Sequence, residues 1–266
     1  MRVVLAMLRA SWLSAASYRL GLVFSLVSLV VGLVPVYFVA RALQGLMGDK
    51  IAAEGGQYFA FVVIGTIALR VVMTSLNAVP GSISSAIGGG MLDSLFSTPT
   101  SPVVSVAALT SYAFADTFVR GLLTLLVAFA LGAEVAWHNG LWGLLLLVLI
   151  GASYLPFALL SAAMIVAFRT DGPLRPGLVV LATVLGGAYY PTTVLPEWVA
   201  ALANLVPLSY GLRALRMVVL DGRPITGVWQ DVAILLVGTA VLGVVAAAAL
   251  RAAFGYARRA GTLAQY

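Results

Sequence analysis

Between Leu141 and Phe168 the chain runs 28 residues without a charged side chain. About 20 such residues, wound as an α-helix, cross a hydrocarbon core of ~30 Å. No water is available there to satisfy backbone N–H and C=O groups, so a segment at that depth is expected to close its hydrogen bonds within itself, as a helix does. The extra length and Pro156 predict tilt or a kink. Five further apolar runs, over residues 20–40, 57–79, 110–131, 176–195 and 232–250, are long enough to cross as well, the second interrupted by Arg70 and the third by Asp116 and Arg120. The expected fold is therefore an all-α membrane protein, a single transmembrane domain over residues 1–266 with six transmembrane helices.

Composition narrows what such a chain can do. Charged residues make up 9% of it and hydrophobic residues 62%, against roughly a quarter charged in soluble domains. Cysteine is absent and His138 is the single histidine, which removes disulfides, thiolate chemistry and cysteine-based metal sites and makes a zinc or iron centre improbable. The net charge of +6 suits lipid headgroups and topology, and no basic cluster with interleaved aromatics points to nucleic acid. The one lysine, Lys50, lies in Gly48-Asp49-Lys50-Ile51-Ala52, so the G-x-x-x-x-G-K-[ST] phosphate loop of an ATP-hydrolysing protein is missing.

Residues 1–19 place Leu5, Leu8 and Trp12 on one helical face with Arg2 and Arg9 beside it, the pattern of an amphipathic helix lying in the cytoplasmic interface. A signal peptide is the competing reading, but the 21 uncharged residues of 20–40 are too long for a cleaved apolar region. With the N-terminus inside, eight basic residues fall on cytoplasmic segments against five outside, which sets both termini in the cytoplasm. Intramembrane Arg70, Asn77, Asp116 and Arg120 are functional candidates because polar groups are costly there. Asp116 and Arg120, four residues apart, are also spaced to neutralise each other on one helix.

The stretch from Gly187 to Gly222 breaks the pattern of long spans. Pro196 and Glu197 suit a first helical turn, after which Trp198, Val199, Leu202 and Val206 share a face. Pro207 ends that helix and Ser209 is placed to cap a second, in which Tyr210, Leu215 and Val218 face one way and Arg213 and Arg216 another. At about ten residues each these helices are too short to cross. The expectation over residues 196–222 is an extracytoplasmic re-entrant hairpin, packed against protein or lining a wet cavity.

A Gly-rich span, Tyr190-Pro191, Leu195-Pro196-Glu197-Trp198, Pro207-Leu208-Ser209-Tyr210, Leu212-Arg213-Ala214-Leu215-Arg216 and Asp221-Gly222 occur in that order. This pattern resembles the C-terminal half of ABC-2 type permeases, the membrane subunits of ABC exporters for drugs, lipids and polysaccharides. The resemblance implies a permease that moves an amphiphilic or hydrophobic molecule outward across a bacterial plasma membrane. It also implies two copies of a separate ATPase subunit, which binds the ATP and Mg, and a second permease copy forming a homodimer, with no catalytic residue, cofactor or metal in this chain. Residues 80–105 resemble the family's cytoplasmic coupling loop through Gly90, Met91, Leu92, Asp93, Leu95, Phe96, Thr98 and Pro99. There Met91, Leu92, Leu95 and Phe96 would offer the ATPase an apolar ridge. The small neutral residues from Ser82 to Gly90 depart from the charged start usual in the family. Gly186, Gly187 and Ala188 are expected where two permeases meet, with packing inside one chain as the alternative. A secondary transporter would favour repeated halves and an intramembrane enzyme a constellation of nucleophile and base. The sequence displays neither.

Overall fold

The structure, a computed structural model, describes residues 19–88, 102–168 and 173–259. The expected interface helix up to residue 18 and the coupling-loop positions Gly90, Met91, Leu92, Asp93, Leu95, Phe96, Thr98 and Pro99 lie outside the described residues. Eight α-helices follow one another in the described part: α1 (Arg19–Met47), α2 (Tyr58–Gly88), α3 (Pro102–Ala130), α4 (Gly140–Phe168), α5 (Leu174–Leu185), α6 (Glu197–Ala203), α7 (Pro207–Val219) and α8 (Trp229–Arg259). No strand occurs among the described residues.

Five of these helices, α1 to α4 and α8, are long and apolar enough to cross a membrane. The bent pair α6 and α7 is the sixth apolar element, as a broken span or a re-entrant loop. α2 lies at the centre, as its apolar character on nearly every side requires. Its Ile64, Ala68, Val72 and Leu76 pack with Ile150 and Tyr154 of α4 and with Leu208, Leu212 and Leu215 of α7. The other edge of α2, through Phe59, Val63 and Ile67, meets Leu33 and Ala40 of α1 and Ala128 of α3. α1 and α8 are the outer helices, with Phe24, Val31 and Phe38 on one and Val237, Val241 and Val244 on the other exposed, as side chains facing hydrocarbon are free to be.

The expected fifth span over 176–195 needs a correction. Its helix stops at Leu185 after 12 residues, a length of about 18 Å at 1.5 Å per residue. Contacts at both ends nonetheless hold the segment along most of α2. Near the start of α5, Arg175 Nη1 donates to Asn77 Oδ1 of α2 at 3.2 Å, and beyond its end the Tyr58 hydroxyl donates to the Tyr189 carbonyl at 2.8 Å. Tyr58 and Asn77 are 19 residues apart on α2, about 28 Å at that rise, close to the ~30 Å of a hydrocarbon core. Residues 186–189, which are not helical, carry the chain over the remaining distance.

The next segment, expected as a re-entrant hairpin, is a sharply bent pair of helices. α6 and α7 meet at 87°, α6 running along the end of the bundle while α7 enters it. Pro207 occupies the first position of α7 and Val206 caps it, so Ser209 lies within the helix and does not cap it. Gly211 admits α7 against α4, since a Cβ there would sit 2.4 Å from Ile150 Cγ1. Gly238 on α8 has open space around it. Gly211→Ala should therefore destabilise by about 1–3 kcal/mol through overpacking, whereas Gly238→Ala should be neutral or raise stability by up to about 1 kcal/mol. Thermal unfolding of both variants in one detergent checks the opposite signs.

Candidate functional site

A helix that ends inside a bilayer leaves its last carbonyls without partners, and hydrocarbon supplies none. Where α5 breaks, side chains take over this task. The Val184 carbonyl accepts the Tyr190 hydroxyl, and the Leu185 carbonyl lies 3.1 Å from Ser209 Oγ, which also reaches the Ala203 carbonyl at 2.8 Å. Arg216 Nη2 lies 3.0 Å from both the Gly187 and the Ala188 carbonyls. Tyr58 serves Tyr189. Five carbonyls in six residues are thus bound by side chains drawn from α2, α7 and the turn itself.

Arg216 is the centre of this arrangement. Although charged, it is only 2% exposed, because it occupies the same face of α7 as Leu208, Leu212 and Val219, all buried. Nη2 lies 3.2 Å from the Phe61 carbonyl as well, and Nη1 donates to Glu54 Oε2 at 3.2 Å. The guanidinium carbon stands 3.3 Å from the centre of the Phe61 ring, a cation–π contact. Nε has no acceptor. One cation therefore ties α7 to α2, to the break after α5 and to the α1–α2 connection that carries Glu54. A buried ion pair of this kind tolerates its desolvation better when further hydrogen bonds satisfy its donors, and three carbonyls do so for Nη2.

Glycine makes the approach possible. A Cβ on Gly65 of α2 would lie 1.9 Å from the Ala188 oxygen and 2.8 Å from Arg216 Nη2. Gly187 adopts φ +72°, a conformation open to glycine at little cost, and this turns its carbonyl and the next toward Arg216. Gly186 presses on Leu208, with a built Cβ 2.6 Å from Leu208 Cδ2. The expectation that Gly186, Gly187 and Ala188 lie where two permease copies meet is corrected accordingly. All three are buried within the protomer, and their small size serves the docking of α7 and α2.

The other expected residues are dispersed. Arg213 does not share the environment of Arg216: it points outward beside the Tyr210 ring, 5.4 Å away, and pairs with Asp231 at the start of α8. Pro191 is buried next to the turn and Pro196 caps α6, whose first residue is Glu197. Trp198 is 71% exposed and Leu202 is exposed with it, whereas Val199 is half-buried and Val206 buried. The expected common face is split, because α6 lies across the bundle end with one side uncovered. Asp116 and Arg120 form the expected pair at 2.7 Å. Arg70 is exposed on α2 and is not brought together with them by any hydrogen bond or ion pair among the described residues. Asn77 meets Arg175. The acidic partner Glu54, the ring of Phe61 and Gly65 were not singled out in the sequence; the stripe Leu208, Leu212, Arg216, Val219 was the signal that this arginine is buried. Among the described residues no group of three or more His, Cys, Asp or Glu is placed to hold a metal.

Five helices long and apolar enough to cross a membrane, packed with the short helix α5 and a bent helix pair, define a multi-pass α-helical membrane protein. The sequence model of the ABC-2 type transporter family matches residues 2–220, and the chain belongs to that family. It is therefore a membrane component of transport that is not by itself a catalyst, and permeases of this family work with ABC ATPase partners. No curated protein matches the chain.

If Gly65 sets the distance between α2 and the break, Gly65→Ala must displace the Ala188 carbonyl. Hydrogen exchange should show backbone amides of residues 186–190 losing about tenfold or more in protection, equivalent to roughly 1.4 kcal/mol of local stability. Gly32→Ala on α1, where the added methyl meets nothing within 4 Å, should leave them unchanged.

Proposed function

We propose that this chain is the permease subunit of an ATP-driven exporter, moving an amphiphilic or hydrophobic molecule outward with power from a separate ATPase. In this reading two copies of the permease form the pathway and two ATPases bind their cytoplasmic side. The membrane is the bacterial plasma membrane, both termini face the cytoplasm, and the end carrying α6 and the Asp49–Glu54 turn faces outward.

The observation that carries the reading is the docking of α7 through Arg216. It gives one end of the bundle a fixed cap over a crossing that is not a continuous helix, an arrangement suited to a pathway and superfluous in a simple anchor. A second observation supports it. Thr66, Arg70, Met73 and Asn77 recur at helical spacing on α2, and Arg70 and Asn77 are exposed. A central arginine facing lipid costs about 2.5–3.5 kcal/mol even on insertion scales, so this face suits a wet pathway better than hydrocarbon. Val180, Leu181 and Val184 of α5 are exposed as well and offer an apolar surface for a second copy.

Coupling is assigned to residues 80–105, with Met91, Leu92, Leu95 and Phe96 as the ridge entering the ATPase. Leu92→Asp with Phe96→Asp buries unpaired charge in that contact, which costs several kcal/mol, yet leaves the membrane-embedded core untouched. The variant should insert and fold but lose the ATPase on purification and lose transport, and Ser84→Ala with Ser85→Ala should do little. A stoichiometric ATPase and normal transport in the Asp variant would move the docking element elsewhere.

A further inference from the structure

We propose that the transported molecule carries a negative charge, received at mid-membrane by Arg70 on the exposed stripe of α2. The inference rests on the reading that this stripe lines the pathway, and adds to it the class of cargo.

The charge inventory of the described spanning helices points this way. They contain two carboxylates, Asp116 and Asp231. Asp116 is bound to Arg120 at 2.7 Å and Asp231 to Arg213. Along the described spanning helices a cationic cargo therefore meets no uncommitted carboxylate, whereas an anionic one meets Arg70, whose guanidinium makes no hydrogen bond or ion pair among the described residues and stands on an exposed face. Two turns further along the same stripe, Asn77 holds Arg175 at 3.2 Å, so a second guanidinium flanks the stripe toward the end at which α5 begins. Arg70 lies 12 residues from Tyr58 along α2, about 18 Å of rise, well inside the hydrocarbon depth.

Symmetry strengthens the case. A twofold axis gives both copies the same surface patch, so a pathway lined by this stripe presents Arg70 from each side. Two such guanidiniums repel unless an anion sits between them. Guanidinium binds carboxylate and phosphate through paired, charge-assisted hydrogen bonds. The polar neighbours on the stripe, the Thr66 hydroxyl and the Asn77 amide, are neutral, and leave the sign of the site to Arg70.

The test uses the absence of cysteine from the chain. Thr66→Cys introduces one thiol a turn from Arg70, on the side toward which a helical side chain leans. The Thr66 hydroxyl bonds only the Val62 carbonyl of its own helix, so the exchange is mild. The permease with its ATPase is reconstituted in nanodiscs, and the rate of labelling by a charged, water-soluble maleimide is measured with decyl phosphate, decyl maltoside or decyltrimethylammonium present. The expected result is a reactive thiol that decyl phosphate protects about tenfold better than the other two, the discrimination a charge-assisted pair provides. That preference should vanish in Arg70→Gln and persist in Arg70→Lys. Equal protection by the cationic amphiphile, or a preference for phosphate that survives Arg70→Gln, would overturn the anionic cargo while leaving the pathway standing. A thiol that the reagent never reaches would overturn the pathway reading itself, and the inference with it.

Discussion

A helix that stops halfway across a membrane exposes carbonyl groups where no solvent can accept the debt. That constraint governs the architecture of this protein. α5 ends at Leu185 and the chain continues to Tyr189 without helical structure, so the carbonyls of that stretch take hydrogen bonds from side chains. The donors belong to other parts of the fold: Tyr58 from α2, and Ser209 and Arg216 from α7. The break exists only while α7 is docked, and α7 docks only where glycines let backbone approach backbone.

This dependence explains why so polar a device sits in so apolar a protein. A neutral donor would serve one carbonyl, whereas a guanidinium serves several in one plane and lies flat on an aromatic ring. Its charge is balanced by Glu54, 162 positions away in sequence, so the α1–α2 connection joins the same assembly. The central helix α2 contributes at three points, through Tyr58, the Phe61 ring and carbonyl, and the bare backbone at Gly65. Movement of α7 therefore engages α2 and the break together. The exposed stripe of α2 with Arg70, about a third of a turn around the axis, is part of the same helix.

Much of this was legible in the sequence because the bilayer imposes simple rules. Long, predominantly apolar runs located the long helices, and the four-residue spacing of Asp116 and Arg120 foretold their pairing. Prolines and short apolar stretches marked a segment too brief to cross. The end of α5 was not legible, since residues 176–195 remain uncharged throughout and hydropathy does not distinguish a helix from an extended strand of chain at the same depth. Arg213 and Arg216 were read as neighbours on one polar face; they stand about 60° apart around the helix, which leaves Arg213 at the rim with Asp231 while Arg216 falls on the buried stripe. Trp198 was read as part of an apolar face and is exposed, because α6 has no layer above it. Gly65 carries no sequence signal of its own: its significance lies in the Ala188 oxygen, 123 positions away, which only the folded chain brings beside it.

The account centres on Arg216 as the donor that holds the broken crossing in place, and the most direct measurement replaces it with an apolar side chain of similar length. Arg216→Met keeps the hydrophobic stem and removes every donor, leaving three carbonyls and Glu54 unserved. Thermal unfolding in detergent should show a loss of about 3–5 kcal/mol, as for other buried pairs deprived of one partner. Arg223→Met, which removes an exposed pair with Asp221, should cost less than about 1 kcal/mol. A stability for Arg216→Met equal to that of Arg223→Met, with the amides of residues 186–190 as protected as in the parent, would contradict the account.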